Sequence, residues 1–177
     1  MNDAGGCRIA MRPEHHPLGA AMRADCTWPD VSVDALVALV SDYSRYPEFV
    51  FPVAESRVRR TEGDRALVYQ RQQVFGLADR EVLLWMQQER GTDRLRVSWT
   101  TASEEPLELA RGAIRTPRNQ GFWEITADPE GGAHVVHEVA LDAGGSVPRW
   151  IVALVRTRSF AKILADVRRK GLVSASG

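Results

Sequence analysis

Little in this chain suggests a covalent or metal scaffold. It holds only 2 cysteines, too few for a disulfide framework, and Cys7 and Cys26 lack the C-x-x-C spacing of a zinc or redox site. Reduced thiols are therefore the expected state. No apolar run approaches the roughly 20 residues of a membrane span, and the N-terminal stretch MNDAGGCRIAMRPEHHPLGAAMRADC has no signal-peptide core, so a cytoplasmic protein is expected. Excess charge of one sign is missing too: Lys+Arg 23 against Asp+Glu 23 leaves a formal net charge of +0. No global field draws in nucleic acid, and no such partner is expected. Repeats, low-complexity tracts and Pro/Gly/Ser linkers are absent, which argues for a single domain over residues 1–177 with its core at about 7–171. The GxSxG, P-loop, GxGxxG and EF-hand patterns are also missing, so no catalytic motif and no cofactor is implied.

What is there is a globular composition, 44% hydrophobic and 26% charged. CRIAM (7–11) and AAMRADCTW (20–28) flank the turn-like PEHHPLG and predict a hairpin, which if folded symmetrically sets Cys7 opposite Cys26. Ser32 stands where an N-cap belongs, ahead of Val33, Leu36, Val37 and Val40 at helical spacing, and that helix should end near Asp42. DYSRYPEF (42–49) comes next, broken by Pro47. Strands are then predicted at ESRVRRT, RALVYQRQQV, REVLLWMQQE, RLRVSWTT, LARGAIRT, GFWEIT and AHVVHEVAL. After Gly144, Gly145 and Pro148 the period changes, and residues 149–170 read as one long amphipathic helix. Consecutive strands and then one long helix exclude a doubly wound parallel sheet. An antiparallel sheet curled over a single helix leaves a cavity between them, the kind of space that holds small apolar ligands.

The runs DYSRYPEFVFPVAESRVRR (42–60), LVYQRQQVFGLADREVLL (67–84), GFWEI (121–125) and LDAGGSVPRWIVALV (141–155) resemble the START-like lipid-transfer branch of the helix-grip superfamily. Asp79-Arg80-Glu81 stands where that family opens a strand with an aspartate, an arginine and an acidic or polar residue. The segment Asp142 to Pro148 stands for its Asp-Pro-Gly-Gly-x-Pro turn, with Ala143 in place of the first proline. The resemblance implies an α+β helix-grip fold: a curved antiparallel sheet around a C-terminal helix, two short helices after the second strand, and a tunnel for a lipid, sterol, quinone or aromatic polyketide. Relatives often keep an acid–base pair inside the tunnel.

Alternation supplies the wall candidates. Trp123 and Ile125 share one face of their strand, Val135, His137, Val139 and Leu141 share another, and Leu95, Val97 and Trp99 a third. Each could be cavity wall or plain core, and His137 could meet a ligand's polar head or a core neighbour. Arg80 shares a face with Val82, Leu84 and Met86. A buried arginine needs a partner: Glu55 is the candidate within the tunnel, Asp42 or Asp79 outside it. Arg115 lies near a strand end, where water alone could satisfy it. On the last helix Trp150, Leu154 and Phe160 could close the tunnel. HVVHE (134–138) does not suit zinc, because i and i+3 on a strand face opposite ways, and His15-His16 in a turn is no better; no metal is expected.

Three functions are compatible with this reading. The first is non-catalytic carriage or sensing of a hydrophobic small molecule. The second is a polyketide aromatase/cyclase using Arg80, His137 or Tyr69 for proton transfer. The third, implied by relatives thought to act on ribosomes, is an interaction module. The basic residues Arg156, Arg158, Lys162, Arg168, Arg169 and Lys170 complement the helix dipole, and they also suggest weak contact with anionic lipid headgroups. Oligomeric state and ligand identity are not legible in the chain. The Pro-Glu-Phe segment and the Gly144-Gly145 turn are the candidate moving parts at the mouth.

Overall fold

The computed structural model describes residues 2–3, 5–13 and 20–175. The predicted turn at 14–19, with His15 and His16, lies outside them. Its strands, in chain order, are β1 (Asn2–Asp3), β2 (Cys7–Pro13), β3 (Ala20–Trp28), β4 (Val53–Glu62), β5 (Arg65–Gln72), β6 (Arg80–Arg90), β7 (Arg94–Thr101), β8 (Ile114–Arg115), β9 (Arg118–Ala127) and β10 (Ala133–Asp142). They form one sheet in the order β1-β2-β3-β10-β9-β7-β6-β5-β4, antiparallel throughout this path, with β8 pairing parallel to β6. Between β3 and β4 lie α1 (Val33–Ser41) and a 3-10 helix (Tyr43–Glu48). The Ser32 side chain accepts the Ala35 N–H at 3.3 Å, and Asp42 caps the 3-10 turn by accepting the Ser44 N–H at 3.2 Å, so each helix starts where a side-chain oxygen satisfies an orphan donor.

The C-terminal helix is not uniform. α2 (Arg149–Leu154) passes through a π turn (Val155–Ser159) into α3 (Phe160–Ala175). The extra residue in a π turn rotates the rest of the helix by about one residue's step, roughly 100°. It therefore sets Ile151 and Val152 on the same side as Ser159, Phe160 and Ile163, all of which face the sheet across one cavity. The unbroken helical phase assumed for 149–170 put Trp150 on that side instead. In the structure Trp150 is 69% exposed. Gly171 permits α3 to lie close against α1 and the residues before it, since a Cβ there would come within 2.6 Å of Val31 and 3.0 Å of Leu36.

Two further expectations are corrected. LARGAIRT is not a full strand; only Ile114–Arg115 pairs, because a turn closed by the Ala113 N–H on the Ala110 carbonyl, with Gly112 at φ +82, interrupts the extended run. Cys7 and Cys26 do sit opposite each other, but they are joined by a disulfide rather than reduced. The Thr27 N–H bonds the Gly6 carbonyl, so the next pair along, Cys7 and Cys26, is a narrow non-hydrogen-bonded one with its Cα atoms 4.0 Å apart and its side chains on one face.

Candidate ligand-binding cavity

The concave face of the sheet and the C-terminal helix enclose a cavity of about 330 Å³. Its apolar wall includes Met22 of β3, Leu84 and Met86 of β6, Trp99 of β7, Trp123 of β9, Val139 of β10 and Phe160 of α3. Register explains the arrangement. His137 pairs directly with Trp123, Val139 with Gly121, and Trp99 with Gly121 from the other side. Gly121 has no side chain, and the Trp99 ring occupies that space: a Cβ there would lie 2.7 Å from the ring.

The imidazole of His137 is 3% exposed and stacked on Trp123, with centroids 3.6 Å apart and planes 7° from parallel. Phe160 lies nearly parallel to it as well, at 5.2 Å. Nδ1 stands 3.0 Å from the Phe122 carbonyl. A carbonyl only accepts, so Nδ1 carries the hydrogen. Burial pushes the His137 pKa down to about 3, against a smaller upward pull from that carbonyl. The ring is therefore neutral near pH 7, with Nε2 a bare acceptor.

Arg80 also lines the cavity, but not as half of an acid–base pair. Its guanidinium donates to the carbonyls of Ala78, Ala143 and Gly144, fastening the turn before α2. Neither Glu55, Asp42 nor Asp79 reaches it. A β-bulge between Val53 and Glu55 is the reason: it reverses the alternation, so Ser56 instead of Glu55 takes the inward position after Val53. Glu55 pairs outside the cavity with Arg57 at 2.7 Å and Arg71 at 3.3 Å. Arg71 continues to Asp79 at 3.0 Å, and hydrogen bonds from Gln73 and Arg71 hold the Asp79 carboxyl below its ordinary range. Glu81, the third residue of the motif, accepts the Ala110 N–H. The three motif residues thus fasten three different segments of the chain. Replacing Glu55 with Ala is expected to leave ligand binding unchanged and to cost less than about 1 kcal/mol by chemical denaturation, as for other half-exposed ion pairs.

The remaining sequence candidates divide cleanly. Val82, Val97, Ile125 and Val135 are buried in the core cluster rather than on the cavity wall. Tyr69 is on the convex face, packed with Leu67, Leu83 and Ala102 beneath the guanidinium groups of Arg57 and Arg59. Arg115 is not merely solvated: it caps the carbonyls of Ala102, Ser103 and Glu105. Leu154 lies outside the side chains that the structure describes. Gln70, Gln72, Asn119 and Ser159 were missed, though all are buried and on the wall. Asn119 was within reach of the pattern, two alternations before Trp123, had the strand been extended to Arg118. Gln70 and Gln72 share a face with Ala66 and Val68, but Leu67 and Tyr69 make the opposite face equally apolar. Among the described residues there is no group of three or more His, Cys, Asp or Glu side chains able to hold a metal ion, and no helix long and apolar enough to cross a membrane.

A wrapped antiparallel sheet, a long C-terminal helix and an apolar cavity between them define the helix-grip class. A family model described as polyketide cyclase / dehydrase and lipid transport matches residues 30–168, and the chain belongs to that family. The chain is 24% identical over 125 residues to an uncharacterized protein of Pseudomonas aeruginosa, covering 69% of this chain and 62% of that one. Among solved structures, the STAR-related lipid transfer protein of Xanthomonas axonopodis superposes with a TM-score of 0.81 at 20% identity, covering 96% of this chain and 95% of that one. Human StAR-related lipid transfer protein 5 gives 0.85 at 13%, covering 97% and 84%. The Zhui aromatase/cyclase of a Streptomyces species gives 0.55 at 12%, covering 85% and 93%. These likenesses establish a START-like fold.

Proposed function

We propose that this protein binds and carries, or senses, a hydrophobic small molecule without transforming it. The observation behind this reading is the cavity of about 330 Å³ walled by Met22, Leu84, Met86, Trp99 and Phe160. Burying apolar ligand surface there contributes roughly 25 cal/mol per Å², less the cost of ordering the ligand. The residues suggested for proton transfer do not support a cyclase: Tyr69 is on the other face of the sheet, Arg80 is occupied by carbonyls, and His137, with its pKa near 3, is a weak base.

The basic end of α3 offers little support for a headgroup or ribosome contact, because Arg168 pairs with Asp30, Lys170 with Glu48, and Lys162 and Arg169 with Asp166. Exposed apolar groups lie nearer the mouth. Phe75, fully exposed, sits between the cavity-lining Val74 and Leu77, and Trp150 precedes the lining Ile151. They support ligand exchange with an apolar surface at that end.

Native mass spectrometry of the purified protein, with organic extraction as the next step, is expected to release a stoichiometric hydrophobic molecule. Val139→Phe adds a ring to the wall without burying charge, and should lower retention of that molecule at least about tenfold while costing no more than about 1–3 kcal/mol by overpacking. Turnover of a polyketide surrogate by the wild type, abolished in a folded His137→Phe variant, would overturn the non-catalytic reading.

A further inference from the structure

Apart from Arg80, the buried polar side chains on the cavity wall are neutral. Gln70, Gln72, Asn119 and His137 line it and are each at most 8% exposed. Asn119 accepts the Trp99 indole N–H on Oδ1 at 2.9 Å, which leaves its amide hydrogens without a partner among the described residues. The side-chain amides of Gln70 and Gln72 likewise have none there. His137 uses its one N–H on the Phe122 carbonyl and presents the Nε2 lone pair. Of the charged wall residues, Arg80 gives three of its five N–H to the Ala78, Ala143 and Gly144 carbonyls, and Asp142 accepts the Gly144 N–H at 3.0 Å.

Different head groups would fare differently against this wall. An ionised carboxylate would give up its water and meet Asp142 as well as Arg80 on the wall, and, having no hydrogen to donate, it would leave Nε2 unpaired. An ether or ketone could take an amide hydrogen but would leave Nε2 unpaired. A hydroxyl satisfies Nε2 as donor and an amide as acceptor. The cavity volume, at the low end of the roughly 300–1,000 Å³ typical of ligand sites, suits one compact ring system or a single short chain rather than two acyl chains.

We propose that the ligand is a compact, uncharged alcohol or phenol whose hydroxyl donates to His137 Nε2. This rests on the ligand-binding reading above and narrows it to one head-group chemistry. Arg80 is then a structural clasp for the 143–145 turn and not an anion anchor.

Three probes with one ring body separate the possibilities: naphthol, methoxynaphthalene and naphthoate, all substituted at the same ring position and titrated calorimetrically into the delipidated full-length protein at pH 7. Naphthol is expected to bind at least about tenfold more tightly than the methyl ether, the worth of one buried hydrogen bond, with naphthoate weakest. In His137→Phe, which keeps an aromatic ring against Trp123, naphthol and its ether should bind alike. If naphthoate binds most tightly in the wild type, the head group is anionic and the proposal fails. Equal affinity for naphthol and ether also sinks it while leaving the cavity reading intact. Binding of none of the three overturns both. The wild-type comparison decides even if the variant does not fold.

Discussion

Acidification from pH 7 to pH 4 is expected to destabilise the wild-type fold by about 3 kcal/mol more than it destabilises a His137→Phe variant. The folded His137 has its pKa pushed from 6.5 down to about 3 by burial, whereas in the unfolded chain it titrates near its ordinary value. Between those limits the unfolded state binds a proton that the folded state does not. Stability must therefore rise with pH across the window, and it falls by about 1.4 kcal/mol for each unit of acidification below 6.5. Carboxylates held low by partners, such as Glu48, brought to about 2 by Arg45 and Lys170, push in the same direction, but they are common to both proteins and cancel in the difference. The Phe substitution also leaves the Phe122 carbonyl without its donor, a constant offset present at every pH. Urea titrations of both proteins at pH 7, 6, 5 and 4 give the comparison directly. Parallel pH dependences would show that the imidazole takes up its proton inside the fold and is no neutral acceptor in the cavity.

Sequence periodicity revealed most of this architecture because the sheet is regular where it matters. Strict alternation through Trp123 and Ile125, and through Val135, His137 and Val139, holds in the ladder of β9 and β10, where register runs unbroken from Ala133–Ala127 to Asp142–Arg118. Alternation fails as a guide where an element carries an extra residue. The bulge in β4 sends Glu55 outward, and the π turn re-phases the last helix so that Trp150 is exposed and Ser159 faces inward. Neither insertion has a local signature in composition; both are set by packing against neighbours. Arg80 illustrates a different limit. Its inward direction was legible, but its partners are backbone carbonyls, which every residue has and no side-chain pattern reports. The cysteines illustrate a third: their register was readable, while their oxidation state was inferred from compartment and not from geometry.

Replacing both cysteines with alanine is expected to lower the unfolding free energy by about 3 kcal/mol relative to the oxidised protein. The bridge closes a loop with a sequence separation of 19, and restricting a loop of that length in the unfolded ensemble accounts for the figure in the chain-entropy model. The position adds a local effect. β2 lies near one edge of the sheet, covered beyond by only the two residues of β1, and both cysteines are buried in the main core cluster. Without the bond, hydrogen exchange in β2 should rise more than in β9 and β10, the central strands beneath the cavity. Urea unfolding of the oxidised protein, the reduced protein and the double variant measures the global effect. Alkylation before and after reduction fixes the starting state. If both thiols of freshly purified, unreduced protein alkylate and the midpoint does not change, the pair is reduced and the fold stands without the bond. If they are protected, the same alkylation performed on intact cells also reports where the protein resides, because such bridges persist in oxidising compartments and are rare in a reducing cytoplasm.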